Sequence, residues 1–121
     1  MKKLIIPFIL LLGLFYWSNI QVLAQGNVGL PISNLSSITS GHSNTLIGED
    51  AGKDITSGTR NTFVGWTAGY VTTTSTDNTF VGYSSGKDNT TGRFNTFVGK
   101  WSGRFNTTGQ NNTFIGEDAG R

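Results

Sequence analysis

The dipeptide Asn-Thr opens a near-identical segment at Asn44, Asn61, Asn78, Asn95 and Asn112, a constant spacing of 17 residues with no insertion or deletion. The five copies read NTLIGEDAG, NTFVGWTAG, NTFVGYSSG, NTFVGKWSG and NTFIGEDAG, and the first four are followed by KDITSGTR, YVTTTSTD, KDNTTGRF and RFNTTGQN. A unit this short cannot hold a helix pair, and its apolar residues form one brief run without helical spacing. Thr-Phe-Val between Asn and Gly reads as a short β-strand with a turn on each side, and the Thr-Thr segment reads as a second short strand. One repeat is then one coil, and successive coils stack about 4.8 Å apart as parallel strands. The expected fold is all-β: a parallel β-solenoid or β-roll of 17-residue coils, preceded by an N-terminal signal-peptide helix.

The chain divides into three parts on this reading. Residues 1–24 carry a basic start, Met1-Lys2-Lys3, an apolar run from Leu4 to Trp17, and Val22-Leu23-Ala24 ahead of a cut before Gln25. The apolar run is shorter than the roughly 20 residues of a spanning helix and is interrupted by Pro7 and Gly13, so a cleaved export signal is expected and no stable membrane insertion after cleavage. Residues 25–43 form a lead-in with a degraded half-repeat beginning near Leu35, because Ile38-Thr39-Ser40-Gly41 matches Ile55-Thr56-Ser57-Gly58 in register. Residues 44–121 are the repeats proper: 44–60, 61–77, 78–94, 95–111 and an incomplete 112–121. The unfinished last coil presents an open strand edge, which either more chain or a neighbouring chain is expected to cover.

Composition adds exclusions. With Lys2 and Lys3 removed, seven basic residues face seven acidic ones, so the apparent basicity belongs to the targeting segment and bulk charge gives no reason to expect nucleic acid as a partner. No cysteine is present, so neither disulfides nor an acylated lipoprotein anchor is available.

Stacking places like residues above one another and gives each column a physical meaning. Asn44, Asn61, Asn78, Asn95 and Asn112 are expected to form an amide ladder along the axis, with asparagine also tolerant of left-handed backbone at a corner. The Gly columns at 48, 65, 82, 99, 116 and at 52, 69, 86, 103, 120 are expected to supply positive φ at turns. Leu46, Phe63, Phe80, Phe97 and Phe114 are followed directly by Ile47, Val64, Val81, Val98 and Ile115, and adjacent strand residues point to opposite faces. One column therefore fills the interior and the other makes an outer apolar stripe that calls for a partner, most simply an identical chain. The pattern leaves open which column is inside, and also a bend at Gly48 and its equivalents that turns both inward.

The NTFVG-type unit resembles the heads of YadA-like trimeric autotransporter adhesins, and more closely NTFVG-repeat surface and fibre proteins of bacteria. The resemblance covers residues 44–121, and 35–43 less closely. It implies a left-handed parallel β-roll, a homotrimer or fibre, and a role in attachment or as a rigid spacer at the cell surface. A 17-residue period is longer than the usual head repeat, and neither a coiled-coil stalk nor a membrane anchor is expected within residues 1–121.

Specificity is expected in what varies. After the first Gly of each motif come Glu49-Asp50, Trp66-Thr67, Tyr83-Ser84, Lys100-Trp101 and Glu117-Asp118. Trp66, Tyr83 and Trp101 form a candidate surface, either adhesive toward a surface glycan or extracellular matrix, or packed against a neighbouring chain. A basic column, Lys53, Lys87, Arg104 and Arg121 with Tyr70 interrupting it, is expected to face solvent with Asp54 and Asp88 neutralising it. No catalytic, metal-binding or cofactor-binding residue is expected: His42 is the lone histidine, and the Glu-Asp pairs lie about four coils, or roughly 19 Å, apart. Two other binding classes stand as alternatives, a carbohydrate-binding and an ice-binding β-solenoid. The second is weakened because adjacent threonines alternate faces.

Overall fold

The computed structural model describes residues 21–23 and 26–121. The expected signal peptide, residues 1–24, lies outside the described residues apart from Gln21–Leu23. The chain is a β-solenoid. Strands β1 (Gln21–Leu23), β2 (Asn27–Leu30), β3 (Thr45–Ile47), β4 (Thr62–Val64), β5 (Thr79–Val81), β6 (Thr96–Val98) and β7 (Thr113–Ile115) form one sheet in sequence order. β1 and β2 are antiparallel, and every later pair is parallel. From β3 onward each residue pairs with the one 17 positions away: Thr45 with Thr62, Leu46 with Phe63, Ile47 with Val64. A short 3-10 turn, Ile32–Leu35, is the one helical element among the described residues.

The phenylalanine column is the inner one. Leu46, Phe63, Phe80 and Phe97 are completely buried, whereas Val64, Val81 and Val98 are half-buried and Ile47 and Ile115 are exposed. No bend turns both columns inward. The inner rings stack nearly parallel at centroid spacings of 4.9, 4.8 and 5.1 Å from Phe63 to Phe114. These spacings follow the strand separation and exceed the roughly 3.5–4.0 Å of carbon contact, so the rings pack offset.

The asparagines lie inside as well. Asn44 Nδ2 donates to Asn27 Oδ1 at 2.9 Å and to the Gly58 carbonyl at 2.8 Å, while its backbone N–H donates to the same Asn27 oxygen at 2.9 Å. Asn61 and Asn78 repeat this pattern one and two coils further on. Each amide thus staples the start of its coil to the end of that coil and to the coil before it. The left-handed corner falls one residue earlier than asparagine, at Ser43, Arg60, Asp77, Phe94 and Asn111, with φ of 55–59°.

Asn27 extends the ladder 17 residues ahead of Asn44, so the lead-in holds a strand coil of its own. There Gly29 occupies the phenylalanine position, and a Cβ on it would lie 2.6 Å from the Leu35 side chain. Leu35, buried, fills the vacated interior from the 3-10 turn. Both expected Gly columns carry positive φ, 122–135° at Gly48 and its equivalents and 57–64° at Gly52 and its equivalents. At Gly82 a side chain would also strike the Gly99 carbonyl oxygen, 2.5 Å from the ideal Cβ position.

The Thr-Thr segment is not a strand. The N–H groups of Thr56, Ser57 and Gly58 all donate to the Thr73 carbonyl, at 3.0, 3.3 and 3.2 Å, and those of Thr39, Ser40 and Gly41 converge on Thr56 in the same way. Successive N–H groups of an extended strand point in opposite directions, so this wall is a stack of nested turns instead. Its one strand-like contact is an isolated bridge between Thr59 and Thr76.

Candidate interaction surface

The alternation that buries Asn and Phe turns Thr and Val or Ile outward from each strand, two residues apart and roughly 7 Å from one another. Five levels of the repeat therefore build one flat strand face with a threonine column, Thr45 to Thr113, beside an aliphatic column, Ile47 to Ile115. No charged residue occupies either column. The face has two rims of variable residues. Ser43, Arg60, Asp77, Phe94 and Asn111 precede the ladder asparagines and form the leading rim; Glu49, Trp66, Tyr83, Lys100 and Glu117 follow the strand glycines and form the trailing rim. All but Asp77, which is half-buried, are exposed.

Along the axis the rims satisfy themselves. Arg60 makes a two-pronged bond to Asp77, Nε to Oδ1 at 2.7 Å and Nη2 to Oδ2 at 2.8 Å, and this holds the Asp77 carboxyl below its ordinary range. Lys100 Nζ donates to Glu117 at 2.8 Å, lowering the pKa of the glutamate and raising that of the lysine. The Trp66 and Tyr83 rings stack at 4.8 Å.

The three candidate aromatics do not form one platform. Trp66 and Tyr83, 44% and 45% exposed, share the trailing rim, but they stack on each other along the axis and so turn mostly edges outward. Trp101 sits one position later in its coil, in the column of Asp50, Thr67, Ser84 and Asp118, and meets Tyr83 edge-on at 6.1 Å. Its ring is covered by Lys100 at 4.1 Å and approached by Arg121 at 5.3 Å. The asparagines Asn44, Asn61, Asn78 and Asn95 are no more than 1% exposed, and their amides are consumed by the ladder.

The basic column is held differently from expectation. Tyr70 interrupts it and also bridges it: Lys53 and Lys87 lie over its ring at 5.2 and 5.8 Å, which keeps the two cations apart. The carboxylates that pair with the column are Asp50, 3.2 Å from Lys53, and Asp118, 3.2 Å from Arg121, rather than Asp54 and Asp88. The adjacent Tyr70 hydroxyl and Asp50 hold the Lys53 pKa above its usual value.

Another interior column escaped the sequence reading: Ile38, Ile55, Thr72, Asn89 and Asn106. Ile55, Thr72 and Asn89 are completely buried. Thr72 Oγ1 donates to the Asn89 carbonyl at 3.0 Å, and Asn106 Nδ2 to Asn89 Oδ1 at 2.9 Å. The clue was its place just before the threonine of each coil; its drift from apolar to polar hid it. Among the described residues no group of three His, Cys, Asp or Glu is placed to hold a metal ion. His42 is exposed, with Nδ1 3.3 Å from Ser43 Oγ.

No family model matches the chain, and neither a curated protein nor a solved structure does.

Proposed function

We propose that this chain is an exported, non-enzymatic structural segment of a bacterial cell-surface fibre or adhesin head, which works by lateral self-assembly into a homotrimer or fibre and so presents a rigid attachment surface. The observation that carries this reading is the outward Thr and Val/Ile face. It is regular over five levels, free of charge, and backed by a ladder-stiffened core. An apolar stripe of this length in water favours a covering surface, and the most economical cover is the same stripe on an identical chain. The resemblance of the NTFVG unit to surface-fibre repeats points the same way, and the apolar, basic-started residues 1–24 support export.

Sedimentation equilibrium of the purified repeat region tests it. Self-association at micromolar concentration is expected, and Val64→Asp with Val81→Asp should yield a folded monomer, since both side chains leave the core untouched. A wild-type monomer would refute the reading.

Glycan attachment is the second function considered. The mutual stacking of Trp66 and Tyr83 leaves few ring faces for a sugar, which favours packing over adhesion for this pair. Trp66→Ser with Trp101→Ser should therefore weaken the oligomer rather than a glycan contact. The Thr-x-Val rows also keep the ice-binding alternative physically defined, and a thermal-hysteresis assay decides it.

A further inference from the structure

Lys53 is paired with Asp50, Arg60 with Asp77, Lys100 with Glu117 and Arg121 with Asp118. Among the described residues Lys87 and Arg104 have no such carboxylate; Asp88 follows Lys87 in sequence but does not pair with it. Yet Lys87, Arg104 and Arg121 occupy three successive levels of one column. Like charges about 4.8 Å apart gain from any anion that settles between them.

Arg104 is the centre of the arrangement. Its guanidinium carbon lies 5.1 Å from the Phe105 ring centroid and 5.8 Å from that of Trp101, and Arg121 comes within 5.7 and 5.3 Å of the same two rings. Two guanidinium groups from successive levels thus converge on one pair of rings. Arg104 Nε is buried and has no hydrogen-bond partner. A guanidinium held this way has given up hydration at one donor without gaining an acceptor, and an oxyanion on its terminal N–H groups offsets that loss. Arg121 bonds Asp118 through Nη1 at 3.2 Å, which leaves it further donors for the same anion.

The class of ligand follows from what surrounds the arginines. Cations at successive levels match an extended chain of repeated anionic groups better than a single ion. Phe105 is 52% exposed beside them, an apolar ring that fits the C–H face of a sugar. Carboxylate and sulfate oxygens both accept from a guanidinium fork, so uronic-acid and sulfated polymers share the required chemistry.

We propose that this corner binds an acidic polysaccharide: Arg104 and Arg121 hold a carboxylate or sulfate group, Phe105 lies against the adjoining sugar ring, and Lys87 meets the next charge along the axis. The contact differs from stacking of neutral sugars on Trp66 and Trp101, because Trp101 backs the arginines and is itself covered by Lys100 at 4.1 Å. The residues belong to the turns that follow the strand and not to the Thr and Val/Ile face, so the inference stands apart from self-assembly.

Binding of the full chain to immobilised polygalacturonate, which carries carboxylates alone, and to heparin, which carries sulfates as well, tests the site, with neutral dextran and duplex DNA as the other arms. At least one acidic polysaccharide should bind, and affinity should fall as salt is raised. Tighter binding of polygalacturonate assigns the carboxylate and tighter binding of heparin the sulfate; either supports the site. Arg104→Gln should weaken binding about tenfold or more, as expected for loss of hydrogen bonds between charged groups, and Phe105→Ser should weaken it less, with sedimentation and circular dichroism unchanged in both. Lys53→Gln, at the far end of the same column and already paired with Asp50, should bind as the wild type does. The proposal is overturned if neither polysaccharide binds, if dextran or DNA binds as tightly, or if Lys53→Gln costs as much as Arg104→Gln, which would reduce the contact to bulk charge. A chain that binds in the expected pattern but sediments as a monomer would refute self-assembly and leave this site standing.

Discussion

Columns of this solenoid fall into two kinds. In the uniform kind, the asparagine and phenylalanine columns, one residue type recurs level after level, with Leu46 in place of phenylalanine in the first repeat and Gly29 in the coil before it. In the mixed kind, such as Arg60 over Asp77, Lys53 over Tyr70 over Lys87, or Ile55 over Thr72 over Asn89, the residue changes with each level. The difference lies in whether a residue can satisfy its own copy about 4.8 Å away. An amide is both donor and acceptor and a ring can stack on a ring, so identity is favourable. A charge repels its copy, which favours alternation, as at Arg60 and Asp77, or an intervening aromatic, as at Lys53, Tyr70 and Lys87; Lys87, Arg104 and Arg121 stand at successive levels at the solvent-facing side, where screening weakens the repulsion. Identity is thus selected where the stack is self-complementary, and variety is tolerated, or required, elsewhere.

The sharpest contrast comes from cutting one uniform column. Phe80→Ala removes a fully buried ring held between Phe63 and Phe97, and the cost should be about 3–5 kcal/mol by equilibrium denaturation at fixed protein concentration. Val81→Ala, one residue on but half-buried on the outer face, should cost under about 1.5 kcal/mol when measured on the dissociated chain. Equal costs would mean that the two faces are equally dry.

Asn78→Ala breaks the other uniform column. It removes two donated bonds and strips the buried Asn95 N–H of its acceptor, so a loss of about 2–3 kcal/mol is expected. Hydrogen exchange localises it: the Asn95 amide should exchange much faster, with the Asn44 amide little changed.

The uniform columns were legible in the sequence because a strict 17-residue period with one Asn-Thr per unit admits few folds. The choice of inner column was also encoded, though unread. Asn and Phe share one parity along the strand and Thr and Val the other, and an amide ladder is worth most when dry, so Phe had to accompany Asn inward. The coil at Asn27 was hidden because Gly29 replaces the aromatic and its substitute, Leu35, comes from outside the strand. The Thr-Thr wall misled because β-branched residues suit strands, whereas here three consecutive N–H groups share one carbonyl. Pairings within the mixed columns were misread for a related reason: sequence neighbours such as Lys53 and Asp54 leave a coil in different directions, while Lys53 and Asp50 face each other across a turn.

Inside the stack the mixed column Ile55, Thr72, Asn89 should be less sensitive than the uniform ones. Thr72→Val keeps shape and removes one buried bond to the Asn89 carbonyl, for an expected loss of about 1 kcal/mol. A loss as large as that of Asn78→Ala would show that this wall is as tightly specified as the strand wall.

The smallest effect belongs to the exposed mixed columns, and its sign can be worked out. The two-pronged bond from Arg60 depresses the Asp77 pKa in the folded chain, and Lys100 does the same to Glu117. Depressed carboxyls contribute stability that is present above their unfolded pKa values, about 4, and that disappears as pH falls through the folded ones. Stability should therefore decline modestly below about pH 4, less so in Asp77→Asn. The raised pKa of Lys100 adds a second limb, present below about pH 10.4 and lost as pH rises past its folded value. Molar salt should flatten both limbs, because the Arg60 and Lys100 side chains are 56% and 47% exposed and their charges are screened. A steep acid transition that persists in molar salt would instead place these pairs among the stabilising elements. The near-silence expected of them fits residues that vary freely from level to level without holding the coil.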